Sequence, residues 1–468
     1  MMERMQKILS QGNNCPQKNS TECKGYEGVQ TVIGITENHL VEVNFTTEDL
    51  MEYIFSPSNL SNAYLQVKRN AGASGVDRME VEELLPYLRQ HTDELIKSLK
   101  QGRYRPNPVR RVEIPKDNGK KRQLGIPSVV DRVIQQAISQ SLTLIYDRTF
   151  SNSSFGFRPT CSCHKALRKV QTYVNEGYKY AIDLDLEKFF DTVNHSKLID
   201  VLSRTIKDNR LLSLIHKYLN AGVVIRNKFE EISLGVPQGG PLSPLLSNIM
   251  LNELDKELES RGHRFVRYAD DCMMLCKSQR ASNRTKESII RFIENKLYLK
   301  VNKEKTKVGY IQGLNFLGYS FYVMRGICKF SLHPKSKAKL KSKLKELTSR
   351  SKGFGYERCK IKLKEYIQGW IGYYKLADMK NYLQSVDEWL RRRLRMCIWK
   401  CWKKVKTKFT NLIKCKIDKY QAWQWANTRK SYWRISKSPI LQRALDKDSL
   451  RLAGYPFLSD YYCKVYRK

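Results

Sequence analysis

Phe265-Val266-Arg267-Tyr268-Ala269-Asp270-Asp271-Cys272-Met273-Met274-Leu275 sets two adjacent acids between two apolar, β-forming runs, as a tight hairpin does. Two carboxylates at one turn repel each other. A cation over the turn relieves that, and Mg²⁺ suits hard oxygen ligands shared with substrate phosphates. A water-exposed turn also tolerates two Asp residues, so the pair alone leaves both readings open. A second acidic segment, Tyr180-Ala181-Ile182-Asp183-Leu184-Asp185-Leu186, shifts the balance. Its alternation puts Asp183 and Asp185 on one face of a strand and Ile182, Leu184 and Leu186 on the other. Acids on a half-buried strand need compensation. Two metal ions about 3.5 to 4 Å apart, held by carboxylates from separate strands, clamp the attacking and leaving oxygens of a phosphoryl transfer. Asp185 and Asp270 would bridge such ions, with Asp271 in support.

The elements that must carry these acids are legible in outline. Between about 105 and 330, short apolar runs bounded by Gly and Pro alternate with longer helical stretches, the pattern of a mixed sheet with helices packed on it. A helical pattern starts at Thr47, runs through Leu50, Ile54, Leu60, Tyr64 and Leu65, and breaks at Gly72-Ala73-Ser74-Gly75; a second helix follows Asp77. Residues 1–46 form a polar leader, expected to be mobile. From His333 onward the strand signals give way to Lys-rich amphipathic helices, roughly 334–349, 356–375 and 378–404, and all seven Trp lie beyond residue 369. This compositional change predicts a boundary near 330–335. Leu383, Val386, Leu390 and Leu394 make an apolar helix stripe, while Arg391, Arg392, Arg393 and Arg395 crowd its other sides. That charged face suits an A-form duplex, whose shape and backbone are what proteins read.

Charge identifies the partner class. The chain has 468 residues, and its 85 Lys and Arg against 46 Asp and Glu give a net charge of +39, far beyond what solubility needs. Nucleic acid neutralises such a surface. No apolar run reaches transmembrane length and no signal segment opens the chain, so it reads as intracellular, with no membrane partner. The 12 cysteines lack the C-x₂-C pairs of zinc ribbons and read as reduced thiols. Cys161, Cys163 and His164 resemble half a metal site without a second half.

Several ordered segments together resemble the reverse transcriptases carried by group II introns, over roughly residues 47–468. Tyr268-Ala269-Asp270-Asp271 is similar to the Y-x-D-D box of reverse transcriptases, and Asp185-Leu186-Glu187-Lys188-Phe189-Phe190-Asp191 to their first catalytic motif. Gly235-Val236-Pro237-Gln238-Gly239-Gly240-Pro241-Leu242-Ser243-Pro244 resembles their P-Q-G loop in its group II form. Asn302-Lys303-Glu304-Lys305-Thr306 and Phe316-Leu317-Gly318-Tyr319 resemble the group II motifs that follow. Upstream, Arg111 to Lys116, Gly119 to Arg122 and Leu124 to Pro127 resemble the fingers strands, Phe155 to Pro159 a template-positioning linker, and Asn59 to Asp77 an amino-terminal extension with a lid-like loop.

The resemblance implies an α+β right-hand polymerase, with fingers and palm built on a mixed, mainly antiparallel sheet and helices. An all-α thumb and a small basic carboxy-terminal domain follow. Its divisions would be 47–180 for extension and fingers, 181–332 for the palm with finger segments, 333–410 for the thumb and 411–468 for the terminal segment. It implies an RNA-directed DNA polymerase that uses two Mg²⁺ ions and dNTPs, copies an RNA template from a DNA primer, binds its group II intron RNA as a splicing maturase and meets target DNA. The metal ligands would be Asp185, Leu186, Asp270 and Asp271. Lys116, Arg122, Phe190, Gln238 and Lys305 would contact dNTP: Lys116 and Arg122 the triphosphate, Phe190 the sugar face that excludes a 2′-hydroxyl. Lys305 would act as a proton donor to pyrophosphate or as a phosphate contact. Arg158, Gly239, Tyr268, the four thumb arginines and Arg429, Lys430, Trp433 and Arg434 would contact nucleic acid. No H-N-H endonuclease signature accompanies them. A maturase with a decayed polymerase site, a retron-, diversity-generating- or defence-type reverse transcriptase, and an RNA-templated RNA polymerase are the competing readings. The intact Asp185, Asp270 and Asp271 weigh against the first, and the P-Q-G-G-P-L-S-P form with a full helical thumb against the second. The Tyr-Ala-Asp-Asp box and Phe190 weigh against the third.

Overall fold

The computed structural model describes residues 50–466 apart from 116–118, 120, 227 and 352–354; Lys116 and the leader over 1–46 therefore lie outside the described residues. The described chain forms two compact units, one running to Phe316 and the other starting at Leu317.

The first unit opens with helices Leu50–Ile54 and Pro57–Asn70 where the apolar pattern predicts one. Pro57 explains the break, because proline disfavours helical geometry in the residue before it yet is well suited to the first helical position. A helix over Leu84–Lys100 follows the glycine-rich interruption. In chain order the strands are β1 (Val109–Pro115), β2 (Lys121–Ile126), β3 (Tyr180–Leu184), β4 (Val223–Ile225), β5 (Lys228–Glu230), β6 (Arg264–Tyr268), β7 (Asp271–Cys276) and β8 (Lys307–Tyr310). They build two four-stranded sheets, ordered β2-β1-β4-β5 and β6-β7-β3-β8. Only the β1–β4 pairing is parallel, which gives the mixed, mainly antiparallel character expected.

Register in the second sheet is set by burial. Ile182, Leu184 and Leu186 enter one continuous core with helices Val129–Tyr146 and Ser243–Ser260, and burying each such side chain contributes roughly 1.5–3 kcal/mol. A slip by one residue would expose all of them. The same alternation turns Asp183 and Asp185 to the opposite, open side.

The second unit starts with an antiparallel hairpin of β9 (Tyr319–Met324) and β10 (Ile327–Leu332). Helices Pro334–Leu347, Tyr356–Tyr374 and Lys380–Cys401 follow, close to the spans predicted. The division falls before the compositional change at 330–335 because the hairpin packs with those helices. The Tyr319 hydroxyl donates to the Tyr373 carbonyl at 2.5 Å and the Asp378 N–H to the Phe330 carbonyl at 2.9 Å. The stripe of Leu383, Val386, Leu390 and Leu394 is fully buried. Short helices complete the chain, and the last, Leu458–Tyr466, is tied back to helix Lys380–Cys401 by Asp387, which accepts the Leu458 and Ser459 N–H groups at 2.8 Å each. A carboxylate at a helix N-terminus satisfies donors that have no intrahelical partner.

Candidate active site and nucleic-acid interface

The acid pair sits on the hairpin that its sequence predicts. Tyr268 pairs with Asp271 across β6–β7, leaving Ala269 and Asp270 as the turn. On the neighbouring strand, Leu184 faces Cys272, so the next position along, Asp185, is opposite Asp271. Asp183, Asp185, Asp270 and Asp271 thereby converge at one end of the sheet. Partial burial, then Asp185, pushes the Asp183 carboxyl up to about 6. Burial raises Asp270 as well, against lowering by a backbone hydrogen bond and by Arg122. Asp271 keeps a solvent-open edge, yet the surrounding protein and then the charges of Asp270, Asp183 and Asp185 push its carboxyl up to about 7. Repulsion among these acids is the cost that a bound cation removes.

A buried arginine holds the turn. Arg267 has no solvent exposure, and its guanidinium grips Asp255 with Nε at 2.8 Å and Nη2 at 2.5 Å. Nη1 donates to Asn248 Oδ1 at 2.9 Å and to the carbonyl of Ala269 at 3.0 Å. Ala269 has φ +58°, a left-handed conformation that costs a non-glycine residue roughly 1–2 kcal/mol, and the Arg267 bond to its carbonyl offsets that cost. From the other side Gly156 packs so tightly that a Cβ there would lie 2.2 Å from the Ala269 nitrogen. Composition and spacing gave Arg267, Asp255 and Asn248 no role. A charged residue inside an otherwise apolar strand, and an Asp amid the leucines of a helix, are the signals that mark such a clamp.

Residues 300–306 brace the end of β3. Glu187 N–H donates to the Lys300 carbonyl at 2.8 Å and Asn302 N–H to the Asp185 carbonyl at 2.8 Å, flanking a bridge between Leu186 and Val301. In an antiparallel pair whose bonds are made by the flanking residues, the central N–H and C=O point the other way, so the Leu186 carbonyl faces away from residue 301. Lys305 Nζ reaches Asp185 Oδ2 at 3.0 Å. Among the described residues no three His, Cys, Asp or Glu are grouped closely enough to hold a metal ion as they stand. The four acids fit a hard divalent cation by donor type and by their mutual repulsion, with Lys305 standing on Asp185 as a competing cation.

The sheet β2-β1-β4-β5 contributes Arg122, whose charge acts on Asp270. Arg122 Nε donates to Gln238 Oε1 at 3.0 Å, and Gly125 N–H to the Gln238 carbonyl at 2.6 Å. Gly239, at φ +121°, lies so close to β2 that a Cβ would meet the Gly125 oxygen at 2.2 Å; its contribution is this close approach. Phe190, Arg111, Gln123, Gly235 and Gln238 line one cavity. Arg122 is thus tied to Gln238, which shares a cavity with Phe190, and its charge reaches Asp270.

Several expected nucleic-acid contacts are engaged within the protein instead. Arg158 is drawn inward, with Nε on Asp147 Oδ1 at 2.7 Å and Nη1 on the carbonyls of Ser151 and Ser154 at 2.6 and 2.9 Å. It shapes the loop beside Gly156. In the second unit Arg393 is buried and donates to Thr348 Oγ1 at 2.6 Å, and Arg395 is buried on the Leu445 carbonyl at 2.9 Å. Helical periodicity alone does not reveal that two of the four arginines face neighbouring helices. Arg392 stacks on Trp433, 3.8 Å from guanidinium carbon to ring centroid. Arg429, Lys430, Trp433 and Arg434 are exposed, and Lys430 lies 4.9 Å over the Trp425 ring.

Residues 114–321 match the reverse transcriptase (RNA-dependent DNA polymerase) family, and residues 337–416 the group II intron maturase-specific domain. Protein YkfC of Escherichia coli strain K12 is 34% identical over 311 residues, which cover 58% of this chain and 82% of YkfC. The chain belongs to the group II intron reverse transcriptase family. The group II intron-encoded protein LtrA of Lactococcus lactis subsp. cremoris is 31% identical over 357 residues, 62% of this chain and 59% of LtrA. This family member therefore spans little more than half of LtrA. Among solved structures, a chain of the partial Cas6-RT-Cas1–Cas2 complex aligns with 53% of this chain and 42% of its own, at 27% identity and a TM-score of 0.35. Reverse transcriptases act on nucleic acid, which accords with the net charge of +39. Among the described residues no helix is long and apolar enough to cross a membrane.

Proposed function

We infer that the chain extends a DNA primer on an RNA template with dNTPs, and that it binds its own group II intron RNA to assist splicing and later meets target DNA within a bacterial cytoplasm or nucleoid. The observation that carries this reading is the convergence of Asp185, Asp270 and Asp271 opposite the Arg122–Gln238 pair. Asp185, Asp270, Asp271 and the Leu186 carbonyl would hold two Mg²⁺ ions, which when bound supply charge neutralisation for both oxygens of the displacement. Arg122 and Lys116 bind triphosphate oxygens. Gln238 orients the nucleotide against the template, and Phe190 closes the sugar side. Lys305, which pairs with Asp185, would serve as a phosphate contact or as a proton donor to pyrophosphate. The exposed Arg429, Lys430, Trp433 and Arg434 bind strands by phosphate neutralisation and stacking.

The test is primer extension on an RNA template with Asp270→Ala, which removes one shared ligand. Extension falls below detection while the melting temperature stays at or above that of the parent. The same variant keeps its affinity for cognate intron RNA and still promotes splicing at low Mg²⁺, because that scaffold role needs no carboxylate. Full extension by the variant would overturn the site assignment.

A further inference from the structure

His195 is buried, at 5% exposure, and none of the motifs above gives it a task. It opens helix His195–Ser203, behind the N-cap Asn194. Its Nε2 lies 2.6 Å from the carbonyl of Gly235. A carbonyl oxygen can only accept, so Nε2 carries the proton and donates. Its Nδ1 lies 3.0 Å from Asn220 Oδ1, and Asn220 Nδ2 lies 3.0 Å from His216 Nε2; a half-turn of the amide exchanges its O and N, and Asn220 Nδ2 then donates to the unprotonated Nδ1. The imidazole is thus fixed from both sides.

The residue it grips is the floor of the nucleotide cavity. Gly235 has φ +97°, a conformation open to glycine at little cost. A Cβ there would lie 2.8 Å from the Phe190 carbonyl and 3.0 Å from Asp191 Cα, so the backbone at 235 is pressed directly against the backbone of the sugar-facing Phe190. Two further bonds lock the contact: Gly235 N–H to the Val193 carbonyl at 2.8 Å and Val236 N–H to the Phe190 carbonyl at 2.6 Å. The Gly235 carbonyl completes this arrangement, and His195 is its partner. Three residues on, Gln238 reaches Arg122.

We propose that His195 is a positioning residue for deoxynucleotide selection: by holding the Gly235 carbonyl it fixes the P-Q-G loop against Phe190 and so sets the space beside the nucleotide sugar. This rests on the reading of Phe190 as the residue that faces the sugar. His195 touches neither nucleotide nor reacting atoms. Its loss loosens the loop, which weakens dNTP binding and opens room for a 2′-hydroxyl while leaving the carboxylates in place.

The experiment measures single-nucleotide incorporation of dNTP and rNTP by His195→Phe, His195→Gln, Asn220→Ala and Phe190→Val, with a thermal melt of each. His195→Phe keeps the volume and removes the donor. Its KM for dNTP rises about tenfold, the size of one lost buried hydrogen bond, with kcat nearly unchanged, and discrimination against rNTP falls. His195→Gln, which restores an N–H donor, recovers both. Asn220→Ala, at an exposed position, shifts both in the same direction by a smaller factor and keeps the protein folded if His195→Phe does not. Unchanged KM and discrimination in a folded His195→Phe, or in Asn220→Ala where His195→Phe fails to fold, overturns the proposal. A drop in kcat alone overturns it too, since that would place the effect on the carboxylates. If Phe190→Val leaves discrimination at the parental value, the sugar-facing role of Phe190 fails and the proposal with it. If Phe190→Val relaxes discrimination and the His195 variants do not, only His195 is misassigned.

Discussion

Arg267 and Asp255 form an ion pair with essentially no solvent contact, Nη2 to Oδ2 at 2.5 Å, and the same guanidinium holds the carbonyl of Ala269 that leads into Asp270. The acid turn is therefore carried by the core rather than by its own loop. Removing one partner of a buried pair leaves an uncompensated charge and costs about 3–5 kcal/mol. Asp255→Ala is expected to lower stability by that amount in denaturant melts and to abolish extension. Arg267→Met combined with Asp255→Leu recovers much of the stability, because neither charge remains, but little of the activity, because Ala269 loses its donor. Recovery of both together would show that the pair serves packing alone.

Sugar discrimination is expected to follow the Phe190 ring. Phe190→Val removes bulk from the cavity it lines with Gln238 and Gly235, and a change of this size in an apolar pocket alters selectivity by roughly 10–200-fold. The ratio of kcat/KM for dNTP over rNTP should fall within that range. A ratio equal to the parental value would make Phe190 a core residue only.

Asp271 gives the metal-free protein a characteristic pH dependence. Its folded carboxyl is pushed up to about 7 from the ordinary 3.8, so between those values the folded state holds a proton that the unfolded state has released. Stability then declines as pH rises through this window. Asp271→Asn makes the decline shallower, leaving the share of Asp183 and Asp270: with chelator present it melts above the parent at pH 8 and together with it near pH 3.5. A variant that melts below the parent at pH 8 would contradict repulsion among the acids.

The arginine face divides into two classes. Arg393→Ala and Arg395→Ala each strip donors from buried carbonyls and should lower stability by about 1–3 kcal/mol with little change in the salt slope of RNA binding. Neutralising Arg429, Lys430 and Arg434 should leave the melt intact and flatten the slope, each lost phosphate contact removing roughly 0.7–0.9 from it. A filter-binding salt titration separates them. Equal slopes for the parent and the surface variant would move the binding surface elsewhere.

The amino-acid order alone specifies the acid-bearing hairpin, the alternation that turns Asp183 and Asp185 to one face, the cationic β1–β2 hairpin and the amphipathic helices after His333. These are local patterns with periods of two or 3.6 residues, and burial of the apolar side enforces them. Family motifs in the sequence also point to Arg122, Gln238 and Phe190 as neighbours. What local pattern cannot encode is which donor meets which acceptor across the fold. The grip of Arg267 on Asp255 and the Ala269 carbonyl spans two elements, and that of His195 on Gly235 joins positions 40 residues apart. Arg393 and Arg395 are counted as surface by periodicity and are buried because other segments cover them. Tertiary packing decided these because a buried polar group must find its partner wherever the completed core puts one.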